Sequence, residues 1–359
     1  MSLIAIVLSI AASFFSTDSV ELVFAGDAMQ HERQIVAAKS SGGSYDYSGY
    51  YDEVRPYIEL ADLAVVNLET PLGGRPYSGY PMFCAPDSYV EELKNAGFDF
   101  ILTANNHALD RRDKGLKRTL DALDRLELTH TGTFRNRTER DSLCPAIIDV
   151  NGFKIGMLNY TYGTNGIKIQ NDAVVNYIDR QQIRKDIAKA KEKGAEIIAV
   201  CMHWGIEYVL LPNAEQKRLA RFLEDEGVDL IIGSHPHVIQ PMEMNYNDEF
   251  GKKVLTVYSL GNFVSAMRKD DTIGGAMVRV RIKRDDLGKA TVDTATYRLV
   301  VVQPPSSSQK NFKVLPAEAN FRKDFQPKKN QFVKRATEIF RKHNKNVPAD
   351  SMSISSYKR

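Results

Sequence analysis

Short apolar runs recur along this chain, and most of them stop on a residue that can bind a metal or move a proton. VELVFAGD ends on Asp27, LAVVNLE on Glu69, and FDFILTANNH on Asn105, Asn106 and His107. IIAVCMH ends on His203, VDLIIGSHPH on His235 and His237, and the segment YSLGNF carries Asn262. A short apolar run bounded by turn signals reads as a buried strand. Open α/β sheets place their sites outside the carboxyl ends of such strands. The chain has seven histidines, and four of them fall in these segments. The pattern predicts one composite metal centre assembled by folding.

Between the runs lie helix signals. YYDEVRPYIELA reads as a helix limited by Pro56, and DSYVEELKNAG as one capped by Asp87 and stopped by Gly97. DKGLKRTLDALDRLE, DRQQIRKDIAKAKEKG and NAEQKRLARFLEDEG show apolar residues at helical spacing. AIIDVNGFKIGMLNYTY reads as a hairpin on Asn151-Gly152, the dipeptide favoured in type I′ turns. This mixture of βα units and hairpins, from Val20 to Gln303, predicts a layered α/β sandwich rather than one doubly wound sheet.

A net charge of +3, with 43% apolar and 26% charged residues, is ordinary globular composition. It offers no basic stripe for nucleic acid. Cys84, Cys144 and Cys201 form no CxxC pair; Cys201 reads as a buried strand residue. Cys84 and Cys144 are open to pairing in an oxidising compartment, though nothing in their spacing requires it. Residues 1–19 begin with an apolar stretch of roughly 14 positions, the length of a signal-peptide core. They are expected to be a signal peptide, cut near Ala11, Ala12 and Ser13, or a retained membrane anchor, so the protein is expected to be exported. Residues 20–303 are expected to form the domain. Residues 304–359 are expected to be a Pro/Ser linker and a basic extension. In that extension Phe332, Ile339 and Phe340 share a helical face, which suits packing on the domain or contact with an anionic surface.

A divalent ion needs several converging donors, and carboxylate and amide oxygens mix with imidazoles at Zn, Mn or Fe sites. Asp27 leaves its strand beside Gly26, where backbone can approach closely. Glu69 closes an apolar strand, where a carboxylate is costly unless paired or bound to a cation. Its two oxygens, or Asn67, could serve two metals. Asn105, Asn106 and His107 set a neutral amide ligand beside a histidine placed for general acid work. His235 and His237, two apart in an extended segment stiffened by Pro236, turn the same way, and His203 can join them.

In this order, AGDAM, NLETPL, TANNHALD, HWGIEY, GSHPHV and SLGNF resemble the CapA family of poly-γ-glutamate capsule synthesis. Its domain is related to the calcineurin-like metallophosphoesterases. The resemblance implies a four-layer α/β/β/α sandwich of the metallo-dependent phosphatase type, holding one or two divalent ions (Mn, Zn or Fe) where two sheets meet. It matches Asp27 to the first metal aspartate, Glu69 to the bridging carboxylate and Asn106 to the asparagine ligand. His203, His235 and His237 match the later histidine ligands, and His107 the catalytic histidine. Two departures stand out. Met29 occupies the second position of the Asp-x-His motif, with His31 at the wrong spacing, and Asn67-x-Glu69 replaces GDxxD, so one metal position is expected to be poorer in ligands.

Asp110 is expected to orient His107. Asn67, Asn105, Glu207, Asn262 and Tyr160 are expected to support the ligands or touch substrate. The functional expectation is metal-dependent hydrolysis or transfer on poly-γ-glutamate or a related envelope polymer. Its rivals are a phosphoesterase with a small phosphorylated substrate, and a non-catalytic polymer-binding subunit of an export complex. The implied partners are an anionic polymer or phosphorylated substrate and a membrane-associated synthesis complex. The expected location is periplasmic or otherwise extracytoplasmic.

Overall fold

The computed structural model describes residues 18–351. Its strands are β1 (Ser19–Ala28), β2 (Leu63–Leu68), β3 (Phe100–Leu102), β4 (Thr129–Thr131), β5 (Thr133–Phe134), β6 (Ala146–Val150), β7 (Phe153–Thr161), β8 (Val174–Val175), β9 (Ile197–His203), β10 (Leu230–Ser234), β11 (Met242–Asn247), β12 (Lys252–Val257), β13 (Asn262–Val264), β14 (Gly274–Arg284), β15 (Ala290–Gln303) and β16 (Lys313–Pro316). Its helices are α1 (Glu32–Ala38), α2 (Arg55–Ile58), α3 (Asp87–Asn95), α4 (Arg112–Arg125), α5 (Arg137–Leu143), α6 (Arg180–Glu192), α7 (Ala214–Asp225) and α8 (Gln326–His343). Residues 1–17, the body of the expected signal or anchor segment, lie outside the described residues. Among the described residues no helix is long and apolar enough to cross a membrane.

Two mixed sheets face one another. One runs β16-β15-β14-β1-β2-β3-β4 with β13 also paired to β1; the other runs β11-β12-β10-β9-β7-β6. Side chains alternate across each strand, so one strand serves two cores. Val20, Leu22 and Phe24 of β1 point between the sheets, where they meet Ile155, Met157, Ala199 and Ile232 of the second sheet. Val23 and Ala25 point the other way, into a core shared with Tyr57, Tyr89 and Leu123 from the helices on that side. The outer face of the second sheet is closed by Ile183 and Ile187 of α6 and Leu219 and Leu223 of α7. The result is the α/β/β/α order of layers. The hairpin turn forms on Asn151 and Gly152, both at positive φ (49° and 89°).

Several local expectations change. The helix expected over residues 50–61 shrinks to the single turn of α2, with Pro56 inside it. Asp87 is the first helical residue of α3 rather than its cap, and its carboxylate is taken by Arg118 and Arg125. All three cysteines are buried and free, so Cys84 and Cys144 are not paired. The boundary expected at Gln303 does not separate the chain in space. β16 pairs antiparallel with β15, and α8 sends Phe332, Ala336 and Phe340 into the inter-sheet core. The Pro/Ser composition of residues 304–308 marks a surface loop here, and the apolar face beyond it is consumed by packing.

Candidate metal centre

The parallel strands of both sheets end at the same cleft, and pairing register sets their last residues side by side. Asp27 of β1 is level with Asn67 of β2 and with Asn262 of β13. In the second sheet His203, the last residue of β9, is level with Ser234 of β10 and Thr161 of β7. Gly26 lets the two walls close. A Cβ there would lie 2.0 Å from the Gly261 carbonyl oxygen, and the Asp27 N–H donates to that same oxygen at 2.9 Å.

Two three-residue donor groups result, one of Asp27, Glu69 and His237 and the other of Glu69, His203 and His235. Within each group the donor atoms lie within 4.8 Å of one another, all five residues are buried, and Glu69 belongs to both. Glu69 Oε1 lies 3.5 Å from His203 Nε2 and 3.8 Å from His237 Nε2. The Asp27 carboxylate reaches His237 Nδ1 at 3.2 Å. The side chain of Glu69 is fully buried, yet neither of its oxygens has a hydrogen-bond partner; His235 Nδ1 is likewise buried without one. Buried polar atoms are normally paired, and an unpaired carboxylate costs more than any neutral group. This donor set, oxygen and imidazole around a shared carboxylate, fits a divalent cation.

Other residues aim these donors. Asn67 donates to Asp27 Oδ1 at 2.8 Å and accepts from Asn105 at 3.3 Å; Asn105 also holds the Leu68 carbonyl at 2.8 Å. Asn262 Oδ1 lies 3.1 Å from His237 Nδ1, which turns Nε2 toward Glu69. Asn106 Oδ1 sits 2.7 Å from His203 Nε2, bringing the amide oxygen to the edge of the second group. Ser234 Oγ holds the other ring nitrogen of His203 at 2.9 Å. His235 and His237 both have positive φ (98° and 57°), conformations costly for side-chain-bearing residues and concentrated at functional sites.

Electrostatics favour the ligating state of the imidazoles. Burial, then the neighbouring histidines, hold His203 well below the usual histidine range. Burial and His237 lower His235 to about 3. Neutral imidazole is the form that binds a cation. Burial, then the Asp27 charge, push Glu69 well above the usual carboxylate range, a penalty a cation between them would reverse.

His107 lies beside the donors rather than among them. Its Nδ1 is 2.7 Å from Asp110 Oδ2, which also accepts the Phe83 N–H at 2.7 Å. Phe83 packs edge-on against the His107 ring, with centroids 4.6 Å apart. Glu207 is exposed at the mouth, close enough to add to the electrostatic load on Glu69. Tyr160 is a correction. It points from β7 into the outer core, where its hydroxyl donates to Asp186 at 2.7 Å. It sits one position short of the strand end, on the opposite face from the cleft.

Some neighbours were not singled out from the sequence. Tyr162 lies just past the end of β7, its ring centroid 4.6 Å from that of His235. Asn165, at positive φ, bonds Asn106 at 3.2 Å. Tyr208 faces His237 with centroids 6.3 Å apart. The strand-end rule applied to β7 would have found Tyr162, and the Asn-Gly pair at 165–166 marks the turn that presents Asn165. His31, noted only for its wrong spacing, accepts the Ala266 N–H on Nδ1 at 3.3 Å. Burial, then His237, lower it to about 4.

The family model described as bacterial capsule synthesis protein PGA_cap matches residues 21–267. The chain belongs to this family. Among its relatives, the PGA biosynthesis protein CapA of Bacillus subtilis (strain 168) is 30% identical over 288 residues, covering 77% of this chain and 72% of its own. The capsule biosynthesis protein CapA of Bacillus anthracis is 28% identical over 295 residues, covering 79% of this chain and 68% of its own. In structure the protein is similar to the Haemophilus influenzae NAD nucleotidase NadN, with a TM-score of 0.50 and 12% identity. That match covers 94% of this chain and 66% of that one, and it speaks for the fold alone. This PGA_cap protein thus carries an α/β/β/α sandwich whose cleft holds a candidate metal-binding cluster.

Proposed function

We propose that this protein acts in poly-γ-glutamate capsule synthesis outside the cytoplasm, as a metal-dependent hydrolase or transferase working on the polymer. The observation behind this reading is Glu69, a fully buried carboxylate shared by two donor groups and bonded by no protein group. Asp27, Glu69 and His237 would hold one ion, and Glu69, His203 and His235, with Asn106 beside them, a second. A bound Mn, Zn or Fe ion would supply Lewis acidity to a substrate oxygen.

The chain's own residues then divide the work. Asp110 holds a proton on His107 Nδ1 and fixes the ring, leaving Nε2 to give a proton to a leaving group or take one from a nucleophile. Phe83 keeps that ring from turning away. Tyr162 packs its ring against His235 and limits how that imidazole can turn. The family relationship supports the polymer as substrate, since both Bacillus relatives are named for capsule or PGA biosynthesis. The working partners are the anionic polymer and a membrane-associated synthesis complex.

Phosphoester hydrolysis is the second reading. The order Asp27, Asn106-His107, His203 and His235-x-His237 favours it, and the absence of histidine at Met29 weighs against it. One experiment separates the readings. Metal is counted per chain by elemental analysis, and the loaded protein is offered poly-γ-glutamate, phosphomonoesters and phosphodiesters in parallel. Polymer shortening or transfer that disappears in His107→Ala is the expected result. Turnover of phosphoesters alone would establish the second reading. Full polymer production by a His235→Ala, His237→Ala double variant would leave only a binding role.

A further inference from the structure

The mouth of the cleft carries one lysine whose charge the site chemistry above does not use. Lys269 is exposed, and its Nζ lies 3.3 Å from the ring centroid of Tyr208, the ring that faces His237. The two acids that follow it, Asp270 and Asp271, would ordinarily neutralise it. Both are turned toward α8 instead. Asp270 accepts from Gln331 at 2.8 Å and lies 3.8 Å from Lys328, and Asp271 pairs with Arg335 at 2.8 Å. No carboxylate among the described residues forms an ion pair with Lys269.

The position is built. Lys269 O accepts the Thr272 N–H at 2.9 Å, and Thr272 O in turn accepts from Asn262 at 2.9 Å, the residue that aims His237. Lys328 of α8 donates to the Arg268 carbonyl at 2.6 Å, pinning the same loop from the other side. The Tyr208 N–H donates to Pro236 O at 2.8 Å, between the two site histidines, so the ring keeps its place relative to the centre. Burial, then the neighbouring Glu207 carboxylate, push the Tyr208 hydroxyl up to about 12.

We infer that Lys269, held on the face of Tyr208, is an entrance subsite for a carboxylate of a polyanionic chain whose neighbouring residue enters the metal centre. A cation held on an aromatic face keeps donors free for an anion. The inference rests on the polymer reading above and makes Lys269 a specificity residue for it. The shared chemistry is an anionic group, and the committed source is the side carboxylate of a glutamate polymer rather than a phosphate.

The test measures fluorescence polarisation of labelled oligo-γ-glutamate with the full chain, at low salt, for the wild type, Lys269→Gln and Lys269→Arg, with metal counted on each. The expected result is about a fivefold loss of affinity in Lys269→Gln, the upper range for one exposed ion pair, and less than about twofold in Lys269→Arg. Equal binding by Lys269→Gln and the wild type overturns the inference. So does displacement of the probe by inorganic phosphate at the same carboxylate-equivalent concentration. An Asp27→Asn, His235→Ala variant separates the two claims. If it lacks metal and turnover but its binding still depends on Lys269, the subsite stands without the chemistry. If the wild type is active on polymer and Lys269→Gln binds and turns over unchanged, the chemistry stands without the subsite.

Discussion

Glu69→Gln should have opposite effects with and without a cation, and the sign reversal tests whether this cleft is built for metal. A ligand bound only by the folded state, at 100 times its dissociation constant, stabilises by about 2.7 kcal/mol. For a chain of 359 residues, an unfolding entropy of about 2.1 cal/mol/K per residue gives roughly 0.75 kcal/mol/K, so the cation should raise Tm by about 4 °C. Glu69 is the one residue common to both donor groups, so replacing its carboxylate should weaken binding by at least about 100-fold, beyond what loss of a supporting residue costs. At the same cation concentration about 0.4 kcal/mol of stabilisation then remains, an increment near 0.5 °C. In chelator the substitution replaces a buried carboxyl group that no hydrogen bond satisfies, so the variant should melt no lower than the wild type. Differential scanning fluorimetry of both proteins, with Mn and with chelator, reads all four values. A variant that keeps the full cation increment, or that loses several degrees in chelator, would refute the reasoning.

His107→Ala and Asp110→Asn should lower polymer turnover by about 100-fold or more while metal content, by elemental analysis, stays at the wild-type value, because neither residue belongs to a donor group. In chelator, His31 and His235 should contribute a stability that rises with pH between about 4.5 and 6.5. The folded values of His31 (about 4) and His235 (about 3) lie below the ordinary 6.5, so the unfolded chain binds more protons in that window and acid favours it. Glu69 and other carboxylates raised by burial, among them Glu92, Asp99, Glu224 and Asp229, pull the other way, so the histidine contribution is read as a difference between variant and wild type. His31→Gln should therefore lower the pH slope of Tm in chelator relative to the wild type across this window, and an unchanged slope would contradict the assignment. Phe332→Ala should cost about 3–5 kcal/mol in urea unfolding, because its ring is buried in the core between the sheets. Tyr160→Phe should cost only about 1 kcal/mol, the hydrogen bond to Asp186, with metal content unchanged.

How much of this was legible in the sequence depends on the range over which each feature is determined. Strand-end residues were readable because a strand's apolar run and its polar stop are both local. Asp27, Glu69 and His203 sit where that reasoning puts them, and register alone then lines Asp27 up with Asn67 and Asn262. His235 and His237 arrive on a bent, positive-φ backbone rather than the extended one expected, and they fall in different donor groups. Tyr160 was misread because period two decides its face, and one residue of offset turned it from the cleft to Asp186. The region after Gln303 was misread for a related reason. Pro and Ser content describes a loop but says nothing about where the chain goes next, and the β15–β16 pairing is a tertiary choice. Lys269 was invisible because its character depends on two neighbours turning away to partners on α8, more than fifty positions along the chain.

The backbone of the His235–His237 segment ties these strands of argument together. Both histidines hold positive φ, a conformation the local sequence does not favour and Pro236 does not relieve. Their rings cannot return to relaxed positions without breaking other contacts. His235 N–H bonds Asp27 at 3.3 Å, Asn262 lies 3.1 Å from His237 Nδ1, and Pro236 O takes the Tyr208 N–H. Strain that persists under three such ties, beside a carboxylate left without a partner, is energy the fold alone has no use for. The ties keep the donors in place whether or not a cation is bound, and they carry that position outward to Tyr208 and the ammonium above it. The donors and the entrance are one mechanical unit, so Asn262→Ala, which cuts the link between His237 and the Thr272 turn, should weaken metal retention and oligo-γ-glutamate affinity together. Loss of one without the other, read by elemental analysis and polarisation on the same sample, would show that they are separate.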